Sequence, residues 1–465
     1  MLTSAQQNLP SGQNASRDPD LQDLVGNLIQ MPSFFGGPRS LPGSLSGELG
    51  DMQASMKRRL KQLEGLRDLQ KKGYPVSDSS LFLDEKAPDG KKIEGALRDL
   101  KNLQGKDFGA NGNRDDLEKL SGQFDGLTAA ELDVFVTKAS PQDLSHYNKL
   151  INDTDDSFWT PFDKNGLPED QRRDSLSKML SKVGPGNIAK FAKAFPGIQP
   201  TFTNTDAYEQ GGNSQNGQTN NGIHWQAPPD PLFKDGVSSD DVSQNQFGDC
   251  WYVASLTGLA QKDPQFIQDG IKENPNGTVS VRVWDKQGNN HWVTMTADLP
   301  TDKNGNAIST YGNGETWPAY YEKAFALTYS ESGDDERGYG GIEGDDPKKS
   351  APYLTGKEGD DITKDSGFLG LGTSDDKDLG SLKKAFDSGK VVTVSTPDDE
   401  SLDKDHPKQW GQTYHSNHAY YVRGFTNDGD VILGNPWGTS GYPPITVSQE
   451  DFNKYFQGPQ SFDVP

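Results

Sequence analysis

Gln244-Asn245-Gln246-Phe247-Gly248-Asp249-Cys250-Trp251-Tyr252 carries the polar residues of a turn into an apolar segment that continues to Leu259. The pattern predicts a buried helix from Cys250 to Leu259, stopped at Asp263-Pro264 because proline has no N–H to extend the ladder. Cys250 therefore stands at a helix start, where unpaired N–H groups and the macrodipole favour an anion and ease ionisation of a thiol. It is the only cysteine in 465 residues, so no intrachain disulfide can form and the fold must rest on packing. A lone cysteine is more often a small buried hydrophobe than a nucleophile, and its position alone does not decide between the two.

Two later segments supply the missing chemistry. His418 opens the strand-like run Ala419 to Gly424, Asn435 closes the run Val431 to Gly434, and Asn427-Asp428-Gly429-Asp430 is the turn between them. Such a strand pair sets the two side chains next to each other. An imidazole there takes the thiol proton and later gives it to a leaving amine, while an amide oxygen accepts from the other ring N–H. Trp437 follows closely enough to shield that hydrogen bond from water. His415 lies three residues before His418, a spacing that turns it to the opposite face of a strand, so His418 is the preferred base. His146, His224, His291 and His406 have no such partner motif.

Taken in order, Gln244, then Phe247-Gly248-Asp249-Cys250-Trp251, His418-Ala419-Tyr420 and Asn435-Pro436-Trp437-Gly438 resemble the protease core of the calpain family. The order Cys, His, Asn is also that of papain. The likeness extends to Pro231-Leu232-Phe233, Ala297-Asp298-Leu299-Pro300, Glu315-Thr316-Trp317-Pro318, Glu322-Lys323-Ala324-Phe325-Ala326 and Tyr353-Leu354-Thr355-Gly356. It implies an α+β, papain-like core with a helical lobe and a β-rich lobe. It also implies a cysteine endopeptidase that hydrolyses protein substrates through a thioester, with Cys250, His418 and Asn435 as the catalytic set. By the same resemblance Gln244 joins the Cys250 backbone N–H in binding the oxyanion, which needs prearranged donors. A catalytically silent protease-fold interaction protein, and an acyltransferase or deamidase built on the same Cys-His logic, are the alternative readings.

Animal members of the family hold calcium at one site in each lobe of the core. Gly236 and Asp241 stand at the spacing for a carbonyl and a carboxylate ligand of the first, with the remaining carboxylate expected between Glu331 and Glu343. The second departs from the pattern, because Thr439-Ser440-Gly441-Tyr442-Pro443-Pro444 offers no carboxylate. No cofactor is expected to be required, and calcium dependence is expected to be weak or absent.

Outside this core the composition is loose. Hydrophobic residues make up 31%, too few for a compact core throughout, so a good part of the chain is expected to be loop. Residues 1 to 50 read as a polar leader, whose Ser/Gln/Asn-rich start also resembles a bacterial type III export signal. A helical domain is expected over 51–200, from an amphipathic Met52 to Lys72 and the patterns Lys92 to Leu103, Arg114 to Phe124, Pro141 to Ile151 and Asp174 to Phe195. Thr128-Ala129-Ala130-Glu131 has capping-box spacing. An Asn/Gln/Gly-rich linker over 201–222 then leads to the protease domain at 223–465. Asp163-Lys164-Asn165-Gly166 and Asp302-Lys303-Asn304-Gly305 look like pieces of an EF-hand loop but lack its outer ligands, and are expected to be turns. A net charge of -22 excludes non-specific binding to nucleic acid or anionic membranes. A soluble monomer acting on protein substrates is expected, in the cytoplasm or exported into a host cell.

Overall fold

The apolar periodicities between residues 90 and 198 become short helices around a core of their own. A computed structural model describes residues 88–106, 113–153, 166–202, 223–285, 288–329, 338–364, 374–375 and 377–465. The leader, the Met52 to Lys72 pattern, the start of the Asp163 to Gly166 motif and residues 203–222 lie outside the described residues. Helices span Gly90–Asn102, Asn113–Asp125, Ala129–Lys138, Pro141–Ile151, Glu169–Lys182 and Ile188–Ala194. Ile93, Leu100, Leu117, Phe124, Phe135, Tyr147 and Phe195 are among the buried side chains that join them. The capping box forms as its spacing predicts: Thr128 accepts from the Glu131 N–H, and Glu131 accepts from the Thr128 N–H at 2.9 Å. The Asp174 to Phe195 pattern is divided rather than continuous. Val183 leaves the helix, Pro185 cannot continue it, and the freed Gly184 N–H donates to the buried Asp133 carboxylate at 3.0 Å.

Residues 223–465 have two cores. In the first, helix Cys250–Lys262 is buried at almost every position through its first ten residues, because Trp251, Val253, Leu256 and Leu259 all find apolar neighbours. Helix Trp317–Thr328 packs beside it, with the Tyr252 and Phe325 rings stacked at 3.9 Å. Strands Ile271–Glu273, Val279–Trp284 and Asn290–Met295 form an antiparallel sheet in this lobe, the last two closed as a hairpin with Trp284 opposite Asn290. Asp302 takes the N–H groups of Asn304 and Asn306 in a tight turn with Gly305 at φ +84, as expected of that motif.

The second lobe is a six-stranded antiparallel sheet in the order Ile445–Val447, Val431–Gly434, Ala419–Phe425, Val391–Ser395, Gln457–Phe462, Gly359–Asp361. Its core holds Val392, Val394, Tyr420, Leu433, Phe452 and Phe456. Helix Cys250–Lys262 lies against this sheet through Gly258, where an added Cβ would stand 2.6 Å from Val391 Cγ1. That close approach fixes how near the cysteine comes to the strand that follows His418. None of the described helices is long and apolar enough to cross a membrane.

Candidate active site

Cys250 is the first residue of its helix, and the backbone of Ala419, like that of Trp251 and of Cys250 itself, lies near enough to the thiol to favour its charged form. The thiol is thus brought from the first lobe to the start of the strand in the second. His418 immediately precedes that strand and Asn435 immediately follows its partner, with Tyr421 opposite Gly434 in the register between them. His418 Nε2 and Asn435 Oδ1 lie 3.0 Å apart, and both residues are buried.

The amide orientation is fixed from two sides. Asn435 Nδ2 donates to Thr413 O at 2.9 Å, and the Trp437 N–H donates to Asn435 Oδ1 at 2.9 Å. Oδ1 is therefore an acceptor, so His418 Nε2 carries the proton and the neutral ring keeps its lone pair on Nδ1. The Trp437 ring tilts against His418 with centroids 4.5 Å apart, covering the hydrogen bond as its sequence position predicts.

Two expectations change. Burial pushes the Cys250 thiol up to about 11, outweighing the N–H donors at the helix start, and pulls His418 down to about 4. The resting pair is neutral thiol and neutral imidazole, not the easily ionised thiol expected from the helix start, because desolvation of a charge exceeds the helix-terminus field. His415 also does not sit on the opposite face of a strand. The strand begins only at Ala419, Asn417 takes a left-handed φ of 49°, and the His415 ring meets Trp437 with centroids 4.4 Å apart. His418 alone of the two bonds Asn435; His415 Nε2 faces Gln412 O at 3.1 Å.

Gln244 is buried beside the helix start, but its Nε2 donates to Phe247 O at 2.8 Å and Asp249 Oδ1 at 3.1 Å. Its place in the loop is fixed across the lobes, where the Gln244 N–H donates to Pro436 O at 2.8 Å and Ser243 Oγ to Trp437 O at 2.8 Å.

A second constellation lies upstream. Asp235, Asp241 and Glu315 bring one carboxylate oxygen each to within 4.8 Å of one another, with Gly236, at φ +105, in the same loop. Glu315 Oε1 accepts the N–H groups of Lys234 and Asp235 at 2.9 and 3.0 Å, while Oε2 is buried without a hydrogen-bond donor. Burial raises both Asp241 and Glu315, and the neighbouring carboxylates add to the rise. An orphaned carboxylate oxygen among crowded acids fits a hard, oxygen-seeking cation such as calcium. Among the described residues, the third carboxylate of this group is Glu315. Residues 331–337 lie outside the described set, and Glu343 packs on Gly248 instead. The signal was present in Glu315-Thr316-Trp317-Pro318 and in Asp235 beside Gly236. After Asn435-Pro436-Trp437-Gly438, Thr439 Oγ1 meets Asp240 Oδ1 at 3.4 Å, and Arg423 pairs with the same carboxylate at 3.1 Å.

A cysteine at a helix start in one lobe, reaching a histidine and asparagine carried by the antiparallel sheet of the other, defines a papain-like cysteine peptidase fold. Residues 199–444 match the profile of the calpain family cysteine proteases, more than half of the chain, and the protein belongs to that family. Among curated relatives, rat Calpain-13 (Rattus norvegicus) is 26% identical over 240 residues, covering 47% of this chain and 33% of the relative. Mouse Calpain-5 (Mus musculus) is 31% identical over 121 residues, 22% of this chain and 19% of the relative. The bovine (Bos taurus) Calpain-1 catalytic subunit is 33% identical over 124 residues, 23% and 16% respectively. The match thus spans a third or less of these relatives' length.

Proposed function

We propose that this protein is a cysteine endopeptidase using Cys250 as nucleophile, His418 as base and acid, and Asn435 as the group that orients the imidazole. The observation that carries the reading is the fixed Asn435 amide, which assigns the Nε2 proton and leaves His418 Nδ1 as the basic atom. The thiol proton passes from Cys250 to Nδ1 as sulfur attacks the peptide carbonyl. The oxyanion that forms is stabilised by the Cys250 N–H and by Gln244 Nε2, which gives up its longer bond to Asp249. His418 then protonates the leaving amine as the C–N bond breaks, leaving a thioester. Water, deprotonated by Nδ1, attacks the thioester; the acid departs and the proton returns to sulfur.

Calcium, in this proposal, is held by Asp235, Asp241, Glu315 and the Gly236 carbonyl, where it offsets the clustered negative charge. These residues hold the loop that leads into Gln244, and peptide cleavage does not require the ion. The lobes are already joined through Arg423, Asp240, Ser243 and the Gln244 backbone. We place the boundary between the helical domain and the protease domain at residue 199.

Wild type and Cys250→Ala added to a lysate of target cells test the activity, with mass spectrometry of protein termini as the readout. New termini confined to wild type are expected. Equal termini in both samples overturn the reading, and deamidated or cross-linked glutamine without new termini would favour acyl transfer.

A further inference from the structure

Asp249 occupies the N-cap position of the nucleophile helix, yet its side chain makes no capping bond. It turns inward and is fully buried, as is Glu322 on helix Trp317–Thr328. Oδ1 of Asp249 accepts from Gln244 Nε2 at 3.1 Å. Oε1 of Glu322 accepts the Thr310 N–H at 2.9 Å and the Thr310 hydroxyl at 2.5 Å. The other oxygen of each acid, Asp249 Oδ2 and Glu322 Oε2, is buried with no hydrogen-bond donor, and the two side chains stand close enough for each to shift the other's titration. Two neighbouring carboxylates, each with an orphaned oxygen, can hydrogen-bond each other only with a proton between them.

We propose that Asp249 and Glu322 share one proton, carried on Asp249 Oδ2 and donated to Glu322 Oε2, and that this pair is a positioning device for the nucleophile and Gln244. The assignment satisfies both orphaned oxygens. Glu322 keeps the negative charge with three donors around it, whereas Asp249 becomes neutral and presents a carbonyl oxygen to Gln244. Burial and the Glu322 charge both hold the Asp249 carboxyl well above the usual carboxylate range, in agreement with this placement. Tyr252 and Tyr339 also face the pair; the Tyr252 hydroxyl donates to Tyr321 O.

Two consequences follow at the site, and both rest on the cysteine-protease reading above. A neutral Asp249 adds no negative charge next to a sulfur that must become a thiolate. Its carbonyl is also a weaker acceptor than a carboxylate, so Gln244 Nε2 can move to the oxyanion at smaller loss.

Isosteric amides separate the two acids. Glu322→Gln keeps the Thr310 bonds but points an NH₂ at Asp249, forcing the charge onto Asp249, beside the sulfur. Asp249→Asn keeps the native pattern, its NH₂ donating to Glu322 and its oxygen accepting from Gln244. Iodoacetamide alkylation of Cys250 in the full chain, at one pH near 8, reads the thiolate fraction whether or not the protein cleaves peptides. Glu322→Gln is expected to slow alkylation about tenfold, the effect of roughly one unit from a nearby like charge. Asp249→Asn is expected to leave the rate within about twofold, and peptide kcat/KM should follow the same split. Folding of each variant is checked by its thermal transition. Unchanged alkylation in folded Glu322→Gln overturns the proposal. So does several-fold faster alkylation in Asp249→Asn, the result if Asp249 were charged in the native protein; this arm decides alone if Glu322→Gln does not fold. The predicted alkylation split in a protein that cleaves no peptide would uphold the shared proton and sink the protease reading.

Discussion

At the scale of single residues, the protonation of the Cys250 and His418 pair decides how the proposed nucleophile reacts. With the thiol raised to about 11 and the imidazole lowered to about 4, both groups are neutral between those limits. Alkylation should therefore climb by about tenfold per pH unit toward the thiol value, with no plateau in the neutral range. A rate by stopped alkylation that stays flat from about pH 5 to about pH 8 would mean a preformed ion pair and contradict this. Cys250, His418 and Asn435 were legible in sequence because each sits in a short motif at the end of a predicted element. The charge state was not, since the burial that sets it comes from two lobes far apart in the chain. His415 was misplaced for a local reason: one left-handed residue, Asn417, turns the chain before the strand begins.

At the scale of elements, the site depends on how closely helix Cys250–Lys262 approaches strand Val391–Ser395. Gly258 is the point of contact, and Val391 is a buried, stiff β-branched residue with no free space to yield. Gly258→Ala should cost about 1–3 kcal/mol, seen as a lower urea midpoint, and should reduce kcat more than a surface change of equal stability loss. The acidic loop makes a separate claim. If Asp235, Asp241 and Glu315 hold calcium, millimolar calcium should stabilise wild type by about 1–3 kcal/mol in thermal unfolding, and Glu315→Gln should abolish that response. Cleavage of a peptide by wild type should persist in chelator; complete loss rescued by calcium would refute independence from the ion. Sequence placed Gly236 and Asp241 in this loop but did not single out Glu315, because a carboxylate some 74 positions after Asp241 joins the group only through tertiary packing. The strand pair that follows His418 and the helix from Cys250 were readable from alternation and proline, whereas the order of six strands in the second sheet depends on long-range pairing that no local pattern encodes.

For the whole molecule, the question is what the helical residues 90–198 do for the protease. Their bonds go to the sheet of the first lobe: Asn276 Nδ2 donates to Leu180 O and Val183 O at 2.8 Å, His291 stands between Asp174 and Asp285, and Ser177 Oγ takes the Thr294 N–H. These contacts are polar, and the buried clusters on the two sides are separate, so each side has a core able to stand alone. The short segment that follows is different. The Tyr339 N–H donates to Thr201 O, and Phe202 stacks on Tyr339 at 5.3 Å and lies 5.1 Å from Trp225. Tyr339 in turn stacks at 4.0 Å on Phe247, three residues before Cys250. Phe202 is thus part of the support beneath the Gln244 to Cys250 loop, consistent with a family match that begins at residue 199. A chain starting at residue 199 should fold and keep peptidase activity within about threefold of the full protein, because the helical domain docks through hydrogen bonds that water can replace. A chain starting at residue 223, or Phe202→Ala in the full protein, should lose about 1–3 kcal/mol of stability and fall further in activity as the stack loosens. Thermal unfolding and peptide turnover on the three proteins check this. Higher turnover from the 199 start than from the full chain would instead make the helical domain an inhibitor, while equal stability of the 199 and 223 starts would remove Phe202 from the protease core.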